Sequence, residues 1–108
     1  MKAHVSHAAV VGAYLAAARK KRCLSQGYVA GQMGLSQPSW SRIEAGSPGT
    51  TVSQLVQWME VVYGCVDWHT FGAAVANSID RLRKEGVVVG SGEESFSRPV
   101  PVILDLVW

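Results

Sequence analysis

The sequence predicts a mainly α-helical fold of five helices followed by a short β segment. Three observations carry this. Apolar residues recur at helical spacing in five separate runs, most of these runs are opened by Ser, Thr or Asp or closed by Gly, and β-branched residues crowd positions 87–89 and 100–108. A chain of 108 residues fits one core with a small appendage, and 48% hydrophobic against 17% charged residues is too apolar for a disordered chain.

The first helix is expected from about Ser6 to Arg22. Val11, Leu15 and Ala18 share a face, alanines favour the helix, and the basic last turn suits the negative end of its dipole. Ser25 offers an N-cap to a short second helix whose inward residues are Val29, Ala30 and Met33, and Gly34 ends it. Ser36 caps a third helix over about Gln37 to Ala45, with Pro38 in the first turn, where a missing amide hydrogen costs nothing, and Gly46 as the stop. After the turn-rich segment 47–51, Thr51 caps a fourth helix with the stripe Val52, Leu55, Val56, Met59 and Val62, closed by Gly64. Asp67 caps a fifth, from Trp68 to Lys84, with Trp68, Phe71, Val75, Ile79 and Leu82 at helical spacing on a long amphipathic surface. Beyond Gly86 two strands are expected, at 87–89 and within 100–108, forming a hairpin or an exchanged arm. Ile103, Leu106 and Trp108 need a cover that so small a domain does not supply, which points to a second subunit.

The net charge of +2 conceals a polarity. Residues 1–43 hold Lys2, Arg19, Lys20, Lys21, Arg22 and Arg42 and no acid, whereas all eight acidic residues lie in 44–108. Such a basic half serves either an anionic partner or plain solvation. Cys23 and Cys65 lack metal-ligand spacing and His4, His7 and His69 do not join them, so reduced thiols and no metal or cofactor are expected. The apolar run 8–18 is too short to span a bilayer and runs directly into Arg19 to Arg22, so it reads as a helix and not a secretion signal, and the chain as cytoplasmic with no membrane partner. No phosphate loop, nucleophile and base set or metal motif is present, which argues against an enzyme; Asp67 and His69 read as a cap and its neighbour.

Residues 24–46, LSQGYVAGQMGLSQPSWSRIEAG, hold the remaining signal. Gly34 suits a tight turn between two helices and Ala30 lets them approach closely, so that the helix after Ser36 projects. This stretch resembles the helix-turn-helix of the XRE family, the lambda repressor and Cro relatives, whose usual pattern is LSQEELAEKLGVSQSTISRIERG. Agreement falls at Leu24, Ser25, Gln26, Ala30, Gly34, Ser36, Gln37, Ser41, Arg42, Ile43, Glu44 and Gly46. The likeness extends over about residues 8 to 72, including Val66, Asp67 and Trp68 at the opening of the fifth helix, and has no counterpart beyond.

The resemblance implies a five-helix lambda repressor-like DNA-binding domain over 1–72, with 73–108 as an extended helix end and β segment for oligomerisation. It implies a bacterial or phage transcriptional regulator that docks as a homodimer, or a tetramer, on double-stranded operator DNA, with recognition helices about 34 Å apart. The DNA-binding set is Gln26, Ser36, Gln37, Pro38, Ser39, Ser41 and Arg42. Gln37 matches adenine N6 and N7, Arg42 matches guanine O6 and N7, and Pro38 offers only an apolar contact to a thymine methyl. The Gln26 position in the family caps the second helix, meets a phosphate and steadies the glutamine at the Gln37 position. Lys20, Lys21 and Arg22 either reach phosphates or are merely solvated. The resemblance also makes Trp40 a core residue facing the second helix and pairs Arg19 with Glu44; Trp58, Trp68 and Phe71 read as core or interface.

Two features depart from the pattern. Gly27 and Gly31 replace good helix formers, and the loop 47–51 lacks Lys or Arg, leaving phosphate anchoring there to backbone amides and hydroxyls. An alternative function keeps the same DNA-binding domain for autoregulation and uses 86–108 to neutralise a toxin, as an antitoxin.

Overall fold

The computed structural model describes residues 3–90 of the chain. Its elements run β1 (His4–Val5), α1 (His7–Lys21), α2 (Gln26–Gln32), α3 (Gln37–Glu44), α4 (Val52–Val62), α5 (Trp68–Lys84) and β2 (Val88–Val89). The five expected helices and the strand at the end of α5 are present.

Each helix begins on a side-chain oxygen that accepts a backbone amide otherwise without a partner. The acceptors are Ser6 for Ala9, Ser25 for Tyr28, Ser36 for Ser39, Thr51 for Gln54 and Asp67 for Thr70. On α4 the cap is reciprocal, because Gln54 Oε1 accepts the Thr51 amide at 3.0 Å. The end of α1 is closed by a six-residue loop in which Leu24 N–H donates to Arg19 O (3.1 Å) and Cys23 N–H to Lys20 O (2.9 Å). That closure places Cys23 in the left-handed region, at φ 59°, where glycine is the usual occupant.

α1 is the axis of the fold. One side of it, Tyr14, Leu15 and Ala18, packs with Val29, Ala30 and Met33 of the α2 region, Trp40, Trp58, Met59 and Phe71. Tyr14, Trp58 and Phe71 meet edge to face with ring centroids 5.5–6.2 Å apart, each such pair adding about 0.5–1.5 kcal/mol beyond area burial. The other end of α1 joins a second cluster, Val5, Ala9 and Val10 with Leu82 and Val89.

Two apolar positions lie nearer to solvent than their place in the helical spacing suggests, and one strand pairing has no counterpart in the sequence reading. The strand at 88–89 pairs with the N-terminal residues, in parallel, with His4 opposite Val88 and Val5 opposite Val89. The first strand escaped the sequence reading because two residues carry no periodicity. Val52 is 68% exposed because it is the first residue past the Thr51 cap, at the rim of the core, and Trp58 fills the α4 interior. Trp68, likewise first after its cap, is 43% exposed and meets Phe71 edge to face. α5 is continuous across residues 72 and 73 and packs with both clusters through Phe71 and Leu82. The proposed second strand within 100–108, and Ile103, Leu106 and Trp108, lie outside the described residues.

Candidate nucleic-acid interface

α2 and α3 are joined by a turn of few residues, and its geometry depends on Gly34. Gly34 has φ +72°, Met33 donates back to Val29 O and Ala30 O, and Leu35 N–H reaches Ala30 O at 2.9 Å. Ala30, 1% exposed, is small enough to let the two helices close on each other.

α3 is two-sided. Trp40 and Glu44 are buried, one helical turn apart, while Gln37, Pro38 and Arg42 are exposed and Ser39 and Ser41 are half-buried. Pro38 is the second residue of the helix, where no intrahelical amide bond is lost. Ser36 and Ser39 hold each other: Ser36 Oγ accepts the Ser39 amide at 3.2 Å and donates to Ser39 Oγ at 2.8 Å. The exposed tip of α3 is therefore Gln37, Pro38 and the linked serines, with Arg42 one turn further along.

The buried side of α3 is held by the Glu44 carboxylate, on which four donors converge. Arg19 Nε donates to Oε2 at 2.7 Å and Nη2 to Oε1 at 3.0 Å, Gln26 Nε2 to Oε1 at 2.8 Å and Trp40 Nε1 to Oε2 at 2.6 Å. Arg19 Nη1 also donates to Leu24 O at 2.8 Å. One carboxylate thus ties the end of α1, the start of α2 and the length of α3 together, and its charge is met within the protein. Gly12 completes the contact. A Cβ there would sit 2.5 Å from Ile43 O and 2.7 Å from Glu44 O, so only glycine lets α1 lie this close to the end of α3.

The other predicted site residues divide. Ser25, and not Gln26, accepts the capping amide of α2, and the Gln26 amide is turned toward Glu44. Among the described residues no hydrogen bond joins Gln26 to Gln37; the Gln37 amide oxygen instead lies 3.6 Å from where a Gly27 Cβ would be. Lys20 and Lys21 are exposed on the last turn of α1. Arg22 donates to Ala18 O at 3.3 Å, and its guanidinium lies 5.1 Å from the centre of the Tyr63 ring, a packing role between α1 and the end of α4. Sequence reasoning weighed Gly27 only as a weak helix former and passed over Gly12. Neither contact has a signature in spacing.

Tyr14 and Tyr63 share a hydroxyl–hydroxyl hydrogen bond, with Arg22 over the Tyr63 ring. Burial is the leading cause that pushes both phenols above the ordinary tyrosine range. Cys23 and Cys65 are free and exposed, and the described residues contain no group of His, Cys, Asp and Glu that would hold a metal. None of the described helices is long and apolar enough to cross a membrane.

A family model described as a helix-turn-helix domain matches residues 10–67. The chain belongs to the helix-turn-helix domain family. The matched span opens inside α1 and closes on Asp67, the cap of α5, so it takes in α1 to α4 with the Glu44 hub and the exposed tip of α3. No curated protein and no solved structure matched the chain. Within the helix-turn-helix frame α3 is the second helix of the motif, the element that such domains place against DNA.

Proposed function

We propose that this helix-turn-helix protein is a sequence-specific, duplex-DNA-binding transcriptional regulator of the XRE type that acts as a homodimer. The observation that carries the reading is the division of α3: Trp40 and Glu44 anchor it inside, while Gln37, Pro38 and Arg42 stand in solvent at its N-terminal tip and outer face. A rod held on one side and polar on the other can enter a major groove about 12 Å wide without disturbing the core. Gln37 and Arg42 are the base readers, for adenine and guanine respectively, and Pro38 touches a thymine methyl. Ser36, Ser39 and Ser41 contribute hydroxyl contacts to phosphates, and Gln26 keeps a phosphate contact beside its bond to Glu44.

Supporting electrostatics come from the basic end of α1, where Lys20 and Lys21 are exposed, whereas Arg19 is spent internally on Glu44. A single α3 covers only a few base pairs, so useful affinity requires two copies on a palindromic site. Val66 and Trp68, both exposed at the start of α5, offer apolar surface for the second copy.

Selection from a random-sequence duplex library tests the reading. An enriched palindrome with half-sites about one helical turn apart, bound with an affinity that falls steeply with salt, is expected. Recovery of no preferred sequence would overturn it. Sedimentation of the full chain and of a chain lacking residues 99–108 tests the homodimer and the role assigned to its C-terminal segment.

A further inference from the structure

Resting on the homodimer reading above, we propose that a groove between the first turns of α1 and the loop before α4 receives Trp108 from a second copy, so that two chains exchange their C-terminal segments. The groove has a volume of about 210 Å³ and is walled by Ala8 and Val11 of α1, Pro48 of the loop and Leu55 of α4, with His7 and Thr50 as its polar lining. A dry cavity of about 150 Å³ is enough to hold benzene, so this groove has the size for one large aromatic side chain and not for a whole apolar segment. The loop wall, residues 47–51, carries no charged side chain, so covering it strips water from no ion.

The chain itself leads to this place. Gly90 has φ +71°, and its backbone passes so close to the His7 imidazole that a Cβ there would collide with the ring. The pairing of Val5 with Val89 and the Arg83 donor on Val89 O hold that crossing in position. Residues 91–108 therefore start from the wall of the groove. The first nine, SGEESFSRP, are mostly polar and can span at most about 30 Å; the next nine, VPVILDLVW, hold seven large apolar side chains. The groove takes one of these, so within a single copy the others would face water. In a twofold pair each copy gives and receives the same element. Because each arm starts beside the groove that receives the other, the two arms run past each other across the axis, and Ile103 and Leu106 gain the cover that one domain lacks. Trp108, the largest side chain of the segment, is the anchor, since a pocketed aromatic carries a disproportionate share of binding energy.

The test uses full-length chains and sedimentation equilibrium. Trp108→Ala removes the anchor and Ala8→Phe fills the groove; each is expected to weaken dimerisation roughly 10-fold or more, and the double variant should be no weaker than Trp108→Ala alone. Ala8 is half-buried on the first turn of α1, and far-ultraviolet circular dichroism matching wild type excludes misfolding; should Ala8→Phe not fold, Trp108→Ala carries the test. Exchange between copies is read by mixing Ala8→Cys chains with Val107→Cys chains, both with Cys23→Ser and Cys65→Ser, in a glutathione buffer. A disulfide joining positions 8 and 107 of different chains is expected, and none with Lys84→Cys, exposed on α5, in place of Ala8→Cys. Preferential closure within one chain that carries both cysteines, diluted in excess cysteine-free chain, overturns the proposal and leaves the homodimer reading standing. So does dimerisation unchanged by Trp108→Ala and Ala8→Phe. A wild-type chain that sediments as a monomer overturns both.

Discussion

The indole N–H of Trp40 donates to the carboxylate of Glu44, one turn later on the same helix, at 2.6 Å, with both side chains buried. In the pattern that residues 24–46 resemble this position is aliphatic, so the bond adds a polar tie to a residue that is otherwise packing. It joins the Arg19 and Gln26 donors on one anion, and the consequences can be separated by substitution.

Trp40→Phe removes the donor but keeps an aromatic ring, and the loss of a hydrogen bond to a charged group should cost about 1.5–3 kcal/mol. Glu44→Ala leaves the Arg19 guanidinium buried without its anion and should cost more, about 3–5 kcal/mol, a large share of the stability of a domain this size. Urea unfolding followed by far-ultraviolet circular dichroism gives both values. A Trp40→Phe protein as stable as wild type would deny the bond its energetic role.

Gly12 and Gly31 should respond in opposite directions to the same change. Gly12→Ala forces a methyl to within 3 Å of the Ile43 and Glu44 carbonyls and must part α1 from α3, at about 1–3 kcal/mol or more. Gly31→Ala meets nothing and should stabilise α2 by up to about 1 kcal/mol. Thermal melts of the two variants, read against wild type, decide the matter by sign alone.

Base reading by α3 predicts position-specific effects. Arg42→Ala should relax selectivity at one base pair by about 1–3 kcal/mol and leave its neighbours alone. Lys20→Ala, by contrast, should weaken binding to all sequences and make the salt dependence shallower by roughly one ion. Fluorescence anisotropy on single-base operator variants at several salt concentrations separates the two behaviours.

Alkaline pH should unfold the protein through Tyr14 and Tyr63. Their phenols are raised above 10.0 in the fold, mainly by burial, while the unfolded chain ionises near 10.0. The native state therefore holds its protons more tightly, so this contribution is complete below pH 10 and declines as pH climbs past 10 toward the native values. Unfolding followed from pH 8 to 12 should show stability falling above pH 10, with a shallower fall in Tyr63→Phe.

Asp67 supplies the matching acid response. Its carboxylate accepts the Thr70 hydroxyl at 2.6 Å and the Thr70 amide at 3.0 Å, and the hydroxyl bond is the leading cause that holds it below 3.8. Being depressed, it stabilises the fold above that pH and loses this contribution as pH falls through the native value. In Asp67→Asn, which still caps α5 but cannot titrate, the decline in melting temperature from pH 4 to 2 should be gentler than in wild type.

The amino-acid sequence by itself determined the helices, their caps and their stops, because these are local events. Ser36 can cap only amides two or three residues on, Gly34 and Gly46 can take positive φ without the strain a side chain would add, and the periodicity of α1, α3 and α5 is written in consecutive residues. The exposure of Gln37 and Arg42 was legible for the same reason, since a helix with Trp40 and Glu44 inward turns those two outward.

Only the tertiary structure decided the contacts between elements distant along the chain. The clearance at Gly12, the pairing of Val5 with Val89, the exposure of Val52 and Trp68, and the place of Gln37 over Gly27 each depend on how two elements lie against each other. Short-range propensity carries no record of such distances; packing sets them, where a fraction of an ångström separates contact from collision.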